Sequence, residues 1–437
     1  MTVVAATPAM TGVTTGVPWA GAAAFALVYL GMFLGGLPRL KLDRTGVALL
    51  GAIAVIGLGA MRVEQAARAM DLPTIVLLSS FRVVAAKVRL GGFCAAVTRR
   101  VTALPLGPAG LLAALIAVAG ALSAVFSNDV ICLAMTPVVA RLCLRRGLDP
   151  VVFLVALACA ANIGSAATLI GNPQNMLIGS VLQLPFGDYL RQALPPVALA
   201  LAALWLWLAW GPGRARLGAV ASAGAASGSA AAPVTGAGAA DEPPFDAWQT
   251  AKGLTVAATL MAVFLFTDWP RDVAALVGAG VLLLSRRFHS SEVMRFVDWE
   301  LLILFMGLFV VNHAFEATGL AAQAVAWLAG QGVHLAEPGV LLVVGVALSN
   351  LVSNVPAVML LLPHLPSAEA GVLLALVSTL AGNLLLVGSI ANLIVADLAR
   401  DAGITIDWRA HAAIGGPGTP PTPALTRGRL RRAGRAG

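Results

Sequence analysis

Residues 121–137 read ALSAVFSNDVICLAMTP, and residues 347–363 read ALSNLVSNVPAVMLLLP. Laid over one another at an offset of 226 residues, they share Ala121/Ala347, Leu122/Leu348, Ser123/Ser349, Ser127/Ser353, Asn128/Asn354 and Pro137/Pro363. The match extends outward. Asp71 to Gly92 overlays Asp298 to Gly319 at an offset of 227, and Gly171 to Asn175 overlays Gly388 to Asn392 at 217. Small polar residues recurring at matched depth in long apolar runs mark a repeated fold. Both stretches pair a Ser-Asn step with prolines, which break helices.

What surrounds the repeats is apolar. Of 437 residues, 59% are hydrophobic and 11% charged, where a soluble domain carries about 25% charged residues. Too few charges are present to coat several globular surfaces. The chain is therefore expected to be an all-α polytopic membrane protein, with a lipid bilayer as its solvent. Glycine, at 46 residues, fits helices that pack closely or break within a membrane. The net charge of +8 sits in short clusters between apolar runs, the pattern of membrane orientation rather than of nucleic-acid binding. The four cysteines, without CxxC spacing, read as small apolar helix residues.

A span needs about 20 apolar residues. Candidate runs are 18–37, 45–61, 72–86, 151–181, 193–210, 252–267, 271–284, 299–320 and 371–396, about nine full spans. Two further runs are expected to enter and return. Basic clusters at Arg39/Lys41/Arg44, Lys87/Arg89/Arg99/Arg100, Arg141/Arg145/Arg146, Arg214/Arg216 and Arg286/Arg287/Arg295 should be cytoplasmic. The run 106–140 has such clusters at both ends, so it reads as a re-entrant hairpin with Ser127-Asn128-Asp129 at its tip. The run 338–363 has no Lys or Arg at either end and reads as a second hairpin, opening on the outer face. This crossing order gives the halves opposite orientation. An inverted repeat with broken helices is the sequence signature of a secondary transporter. The expected organisation is a first repeat over 1–210 (broken helix 151–181), a flexible linker over 211–250, and a second repeat over 251–411 (broken helix 371–396). A Pro/Arg-rich tail over 412–437 stands where a last helix is expected, as if that helix were lost to truncation or a reading-frame change.

Polar residues inside these runs are the candidate site. Ser123, Ser127, Asn128 and Asp129 lie around the first hairpin tip, and hydroxyl, amide and freed carbonyl oxygens there can coordinate a small cation. Asp129 is the only acid of that hairpin; at membrane depth a carboxylate is a functional candidate that could carry a proton or neutralise a cation. In ANIGSAATLIGNPQN (161–175), two glycines and Pro173 interrupt the run. Asn162, Ser165, Thr168, Gly171, Asn172, Pro173, Gln174 and Asn175 there frame exposed helix ends, where N–H groups suit an anion and C=O groups a cation. The mirror is Gly382, Asn383, Gly388, Ser389 and Asn392. Arg82 and Lys87 read as side chains that snorkel to the interface, with gating charges as the alternative. His313 and Glu316 share a helix face as an ordinary polar pair or a proton relay. No phosphate loop, metal cluster or nucleophile–base constellation occurs, so an enzyme or ATP-driven pump is not expected, and no cofactor is implied beyond Na⁺ or H⁺ as coupling ion.

At "SNDVICLAMTP" (127–137), "ANIGSAATLIGNPQNMLIG" (161–179), "SNLVSNVPAVMLLLP" (349–363) and "AGNLLLVGSIAN" (381–392) the chain resembles the ion transporter superfamily. Within it the likeness is to the citrate-transporter-like and divalent-anion/sodium symporter group, over roughly residues 20–410. The resemblance implies a scaffold domain and an elevator-type transport domain of two hairpins and two unwound helices, working as a homodimer in the cytoplasmic membrane. It would put one cation site at Ser123, Ser127, Asn128 and Gly164, and another at Ser349, Ser353, Asn354 and the Gly382/Asn383 region. Substrate would sit between the tips, against Asn128, Asn162, Ser165, Thr168, Gly171, Asn172, Pro173, Asn175, Asn354, Gly388, Ser389 and Asn392. Dicarboxylate members of the group carry Ser-Asn-Thr at both tips, whereas this chain carries Ser-Asn-Asp and Ser-Asn-Val. The Asn-Asp pair looks more like the arsenite-permease branch. The expected function is a secondary active transporter of a small organic or inorganic anion coupled to Na⁺ or H⁺. The alternatives are a Na⁺/H⁺ antiporter using Asp129, a truncated inactive or accessory membrane subunit, and a channel.

Overall fold

The computed structural model describes residues 18–37, 40–211, 217, 245–284, 289–365 and 367–415. Most of the expected linker, the tail beyond 415, and the clustered Arg39, Arg214, Arg216, Arg286 and Arg287 lie outside them. Among the described residues the chain is helical and has no strand. The helices are α1 (Pro18–Leu34), α2 (Arg44–Gly57), α3 (Val63–Ala69), α4 (Leu72–Leu90), α5 (Phe93–Ala103), α6 (Pro108–Phe126), α7 (Asn128–Arg146), α8 (Pro150–Ser165), α9 (Pro173–Val181) and α10 (Phe186–Trp210). They continue as α11 (Ala247–Phe266), α12 (Arg271–Leu283), α13 (Ser290–Met294), α14 (Trp299–Glu316), α15 (Leu320–Gly330), α16 (Pro338–Val352), α17 (Asn354–Leu361), α18 (Ala368–Ala381), α19 (Ile390–Asp401) and α20 (Trp408–Gly415).

Four of these, α6, α10, α11 and α14, are long and apolar enough to cross a membrane. The pair α3 and α4, bent by 64° at their junction, makes a fifth if counted as one span. That is fewer than the nine full spans read from the sequence. Two of the expected runs are divided into shorter helices, as 151–181 is into α8 and α9, and three others form undivided but short helices, α1, α2 and α12. Helices α3, α5, α13, α15 and α20 fall where no span was expected. Only 33% of the apolar windows of α10 and α11 is buried inside the protein. Their remaining apolar surface faces outward, as lipid-facing helices require. The chain is a multi-pass membrane protein.

Two compact units divide the chain, and each draws on both sequence halves. The first joins residues 1–70 to 303–327, and the second 71–302 to 328–437. In the first unit small residues let backbones approach. A Cβ on Gly307 would lie 2.8 Å from the Ala48 backbone, and one on Gly51 would collide with Val28. Phe25 stacks on Tyr29 and Phe315, and the Tyr29 hydroxyl donates to Asn312 Oδ1 at 2.9 Å. His313 and Glu316, one residue and a turn further on, are exposed.

The second unit is built around α8 and α18. Every residue of α8 except Val151 is buried, and so is all of α18 from Ala370 to Ala381. A helix apolar on all sides must be surrounded, and α8 is surrounded by α6, α7, α10 and α19. A Cβ on Gly164 of α8 would overlap the Gly120 backbone of α6, so these helices touch main chain to main chain. This fixes the end of α8 against the first tip.

Candidate functional site

Four helix breaks supply the polar side chains. At the first, α6 stops at Phe126 and α7 starts at Asn128, with Ser127 between them at φ 72 and ψ 139. At the second, α16 stops at Val352 and α17 starts at Asn354, with Ser353 at φ 79 and ψ 159. Both serines occupy left-handed backbone that glycine favours, at a cost of about 1–3 kcal/mol each. Strain of this kind persists only where the surroundings over-determine it. Matched strain at the two Ser-Asn steps is therefore a pointer to function.

The third break follows α8. Pro173 lacks an N–H and holds the residue before it extended; Asn172 has φ −154 and ψ 161. Pro173 then opens α9, and the Asn172 side chain caps it by accepting from the Asn175 amide at 2.9 Å. The fourth break follows α18. Ser389, at φ −141 and ψ 140, precedes α19, but its hydroxyl does not cap that helix. It donates instead to Asn162 Oδ1 at 3.0 Å.

Asn162, fully buried in α8, is the junction of the site. Its oxygen accepts from Asn128 Nδ2 at 2.9 Å and from Ser389. Its nitrogen donates to Asn383 Oδ1 at 2.9 Å and to Asn392 Oδ1 at 3.0 Å. One amide thus uses its full hydrogen-bonding capacity to join the first tip, the first broken helix and the second broken helix. Asn392 passes the network on to the Gly382 carbonyl at 2.7 Å and the Leu385 carbonyl at 3.2 Å. Asn354, its amide nitrogen turned toward the two carbonyls, donates to Ser378 O at 2.9 Å and Gly388 O at 3.2 Å. The second tip is thereby tied to the second break.

The remaining sequence candidates form a second cluster. Asn172 donates to Ser165 Oγ at 3.0 Å and to Thr379 Oγ1 at 3.3 Å. Gln174 also reaches Thr379, at 3.2 Å. Asn175 donates to the Thr168 carbonyl and to the Tyr189 hydroxyl, and Thr168 donates to the Ala124 carbonyl of α6. The Gly171 carbonyl accepts from the Asn128 amide at 3.2 Å. Ser123 and Ser349 stand apart. Both are fully buried, and neither hydroxyl has a hydrogen-bond partner among the described residues. A matched pair of orphan hydroxyls calls for an explanation, and a cation bound at each tip would supply one.

Asp129 does not join the Asn162 network. It turns to Arg82, whose Nη2 donates to Asp129 Oδ2 at 2.8 Å, with both side chains under a tenth exposed. This corrects the snorkelling reading of Arg82. A buried guanidinium needs a partner, and the tip provides one, so Arg82 turns inward. Lys87 is likewise fully buried rather than reaching outward. Thr379, Tyr189 and His411 were not anticipated. Thr379 and Tyr189 join the Asn172–Asn175 cluster, and a His411 ring nitrogen lies 3.4 Å from Asn392 Nδ2. An arginine inside an apolar run, with one acid at a nearby tip, was the available signal for Arg82; nothing in the sequence pattern marked the other three.

Comparison with known proteins finds a transporter family model and transporter relatives. A family model described as citrate transporter matches residues 26–381. Silicon efflux transporter LSI3 of Oryza sativa subsp. japonica is 29% identical over 467 residues, covering 91% of this chain and 94% of the relative. Inner membrane protein YbiR of Escherichia coli (strain K12) is 32% identical over 345 residues, covering 78% and 83%. Putative transporter arsB of Dictyostelium discoideum is 22% identical, covering 83% of each.

Proposed function

The chain belongs to the citrate transporter family, and we propose that within it the protein is a secondary active transporter of a small anion, coupled to Na⁺ or H⁺, in the cytoplasmic membrane. The observation that carries this reading is the Asn162 junction. It ties two interrupted helices and a strained tip into one buried polar centre. Helices α7, α9 and α19 present N-termini beside that centre, where N–H groups and the helix dipole favour an anion. The C-terminal carbonyl ends of α6 and α16, beside the orphan hydroxyls of Ser123 and Ser349, suit a cation. Cation and anion would therefore occupy adjacent positions, and each charge would favour binding of the other.

The matched tips and breaks also support the inverted-repeat reading and an elevator-type movement of the site, and a homodimer is the proposed assembly. The test is thermal stability of the purified protein with citrate, succinate, sulfate, phosphate, arsenite or chloride, each with Na⁺, with Li⁺ and with neither. A ligand at 100 times its Kd adds about 2.7 kcal/mol. Stabilisation by an anion only with the coupling cation present is expected. Stabilisation by Na⁺ or Li⁺ alone, indifferent to anions, would replace the reading with a Na⁺/H⁺ antiporter. No response to any combination would favour an inactive or accessory subunit.

A further inference from the structure

Beside the first tip lies a cavity of about 220 Å³, lined by Arg82, Arg89, Arg295, Asp129, Asp298 and apolar side chains. We infer that this cavity binds a singly charged oxyanion through Arg82, and that Asp129 is a built-in carboxylate holding Arg82 until the oxyanion displaces it. The inference rests on the transporter reading above and goes beyond it, since none of the residues of the Asn162 centre lines this cavity.

Charge comes first. Three arginines and two aspartates are among the residues that line the cavity, an excess of one positive charge. One negative charge balances it. A dianion would overshoot, and a neutral molecule would leave the excess in place. The space holds several waters, so a carboxylate or small tetrahedral oxyanion fits.

Geometry comes second. Arg82 donates a single hydrogen bond to Asp129, through Nη2 alone at 2.8 Å. Asp298 Oδ2 is 3.9 Å from the same nitrogen, beyond hydrogen-bonding distance. A guanidinium has five N–H donors in a rigid fork and binds carboxylates and oxyanions two-pronged when it can. The grip on Asp129 is one-pronged, so Arg82 keeps donors for a ligand in the cavity it lines. Arg89 stacks over Phe296, its guanidinium 4.7 Å from the ring centre, which holds a second positive charge on the same wall.

Asp129 has somewhere to go. It is in the first turn of α7, directly after the strained Ser127. A carboxylate released there remains at a helix N-terminus, where negative charge is favoured. The exchange therefore swaps one anion for another on Arg82 and leaves the Asp129 charge at a helix N-terminus.

The test uses the full-length protein in detergent. Binding of lactate, of phosphate at a pH where it carries one charge, and of citrate is measured for wild type, Asp129→Asn and the double variant Arg82→Gln/Asp129→Asn. Removing the internal competitor should tighten monoanion binding by about tenfold or more, because the competent fraction of Arg82 rises, and should help citrate less. The double variant, with no buried charge to strand, should fold and lose monoanion binding. Preference for lactate or for phosphate distinguishes a carboxylate from an inorganic oxyanion. Unchanged or weaker monoanion binding in folded Asp129→Asn overturns the inference. So does a double variant that binds as wild type does; this comparison suffices should Asp129→Asn alone not fold. Wild-type binding of citrate with no effect of Asp129→Asn on monoanions would sink the inference but leave the transporter reading standing. Wild type responding to Na⁺ alone would sink both.

Discussion

Asn128 and Asn354 make few bonds for residues in such matched positions. Asn128 donates one side-chain hydrogen bond, to Asn162; Asn354 reaches two carbonyls. A typical intramolecular hydrogen bond adds only about 1 kcal/mol to stability, so Asn128→Ala and Asn354→Ala should each yield folded protein that has lost coupled transport. Retained coupled flux in both variants would remove the tips from the site. Arg82 behaves differently. Breaking a buried pair costs about 3–5 kcal/mol, whereas removing both partners is often neutral. Arg82→Ala should lower the melting temperature markedly, and Arg82→Gln with Asp129→Asn should recover most of the loss. Equal melting of wild type and Arg82→Ala would mean the pair does not form. The polar residues of the candidate site stood out in the sequence because polarity inside an apolar run is rare. Their partners were less so. Thr379 and Tyr189 are ordinary in a helix and acquire meaning only when folding brings Asn172 and Asn175 to them.

The helix breaks were legible at the scale of elements. Proline after Asn172 forces an extended residue and a new start, and the Ser-Asn steps mark tips where α6 and α16 end. What sequence could not supply was how tightly the breaks are held. Ser127→Gly and Ser353→Gly relieve the positive φ and should raise stability by about 1 kcal/mol each. Ser→Ala at the same positions should give no such gain, since alanine keeps the strain. Lower melting temperatures for both glycine variants would mean that the tips are unstrained. Gly164→Ala places a methyl group on the Gly120 backbone. Overpacking of this kind costs about 1–3 kcal/mol or more, so this variant should express poorly or melt early; a wild-type melting temperature would show that α8 and α6 can separate.

For the whole molecule, composition established the solvent before any residue was assigned a role. A chain with 11% charged residues cannot clothe a soluble surface of this size, and its long outward helices are apolar. The lengths of the helices were less legible than the apolar runs, because hydropathy shows neither the break within a run, as between α8 and α9, nor where its helix stops, as in α1, α2 and α12. Nor were the compact units, which gather residues from both halves of the sequence. The most direct measurement is flux of a labelled anion into liposomes containing the purified protein, with and without an imposed Na⁺ or H⁺ gradient. A coupled carrier gives saturable anion flux that follows one of the two gradients and vanishes in Asn128→Ala. Anion flux that neither saturates nor responds to either gradient would contradict it and point to a channel.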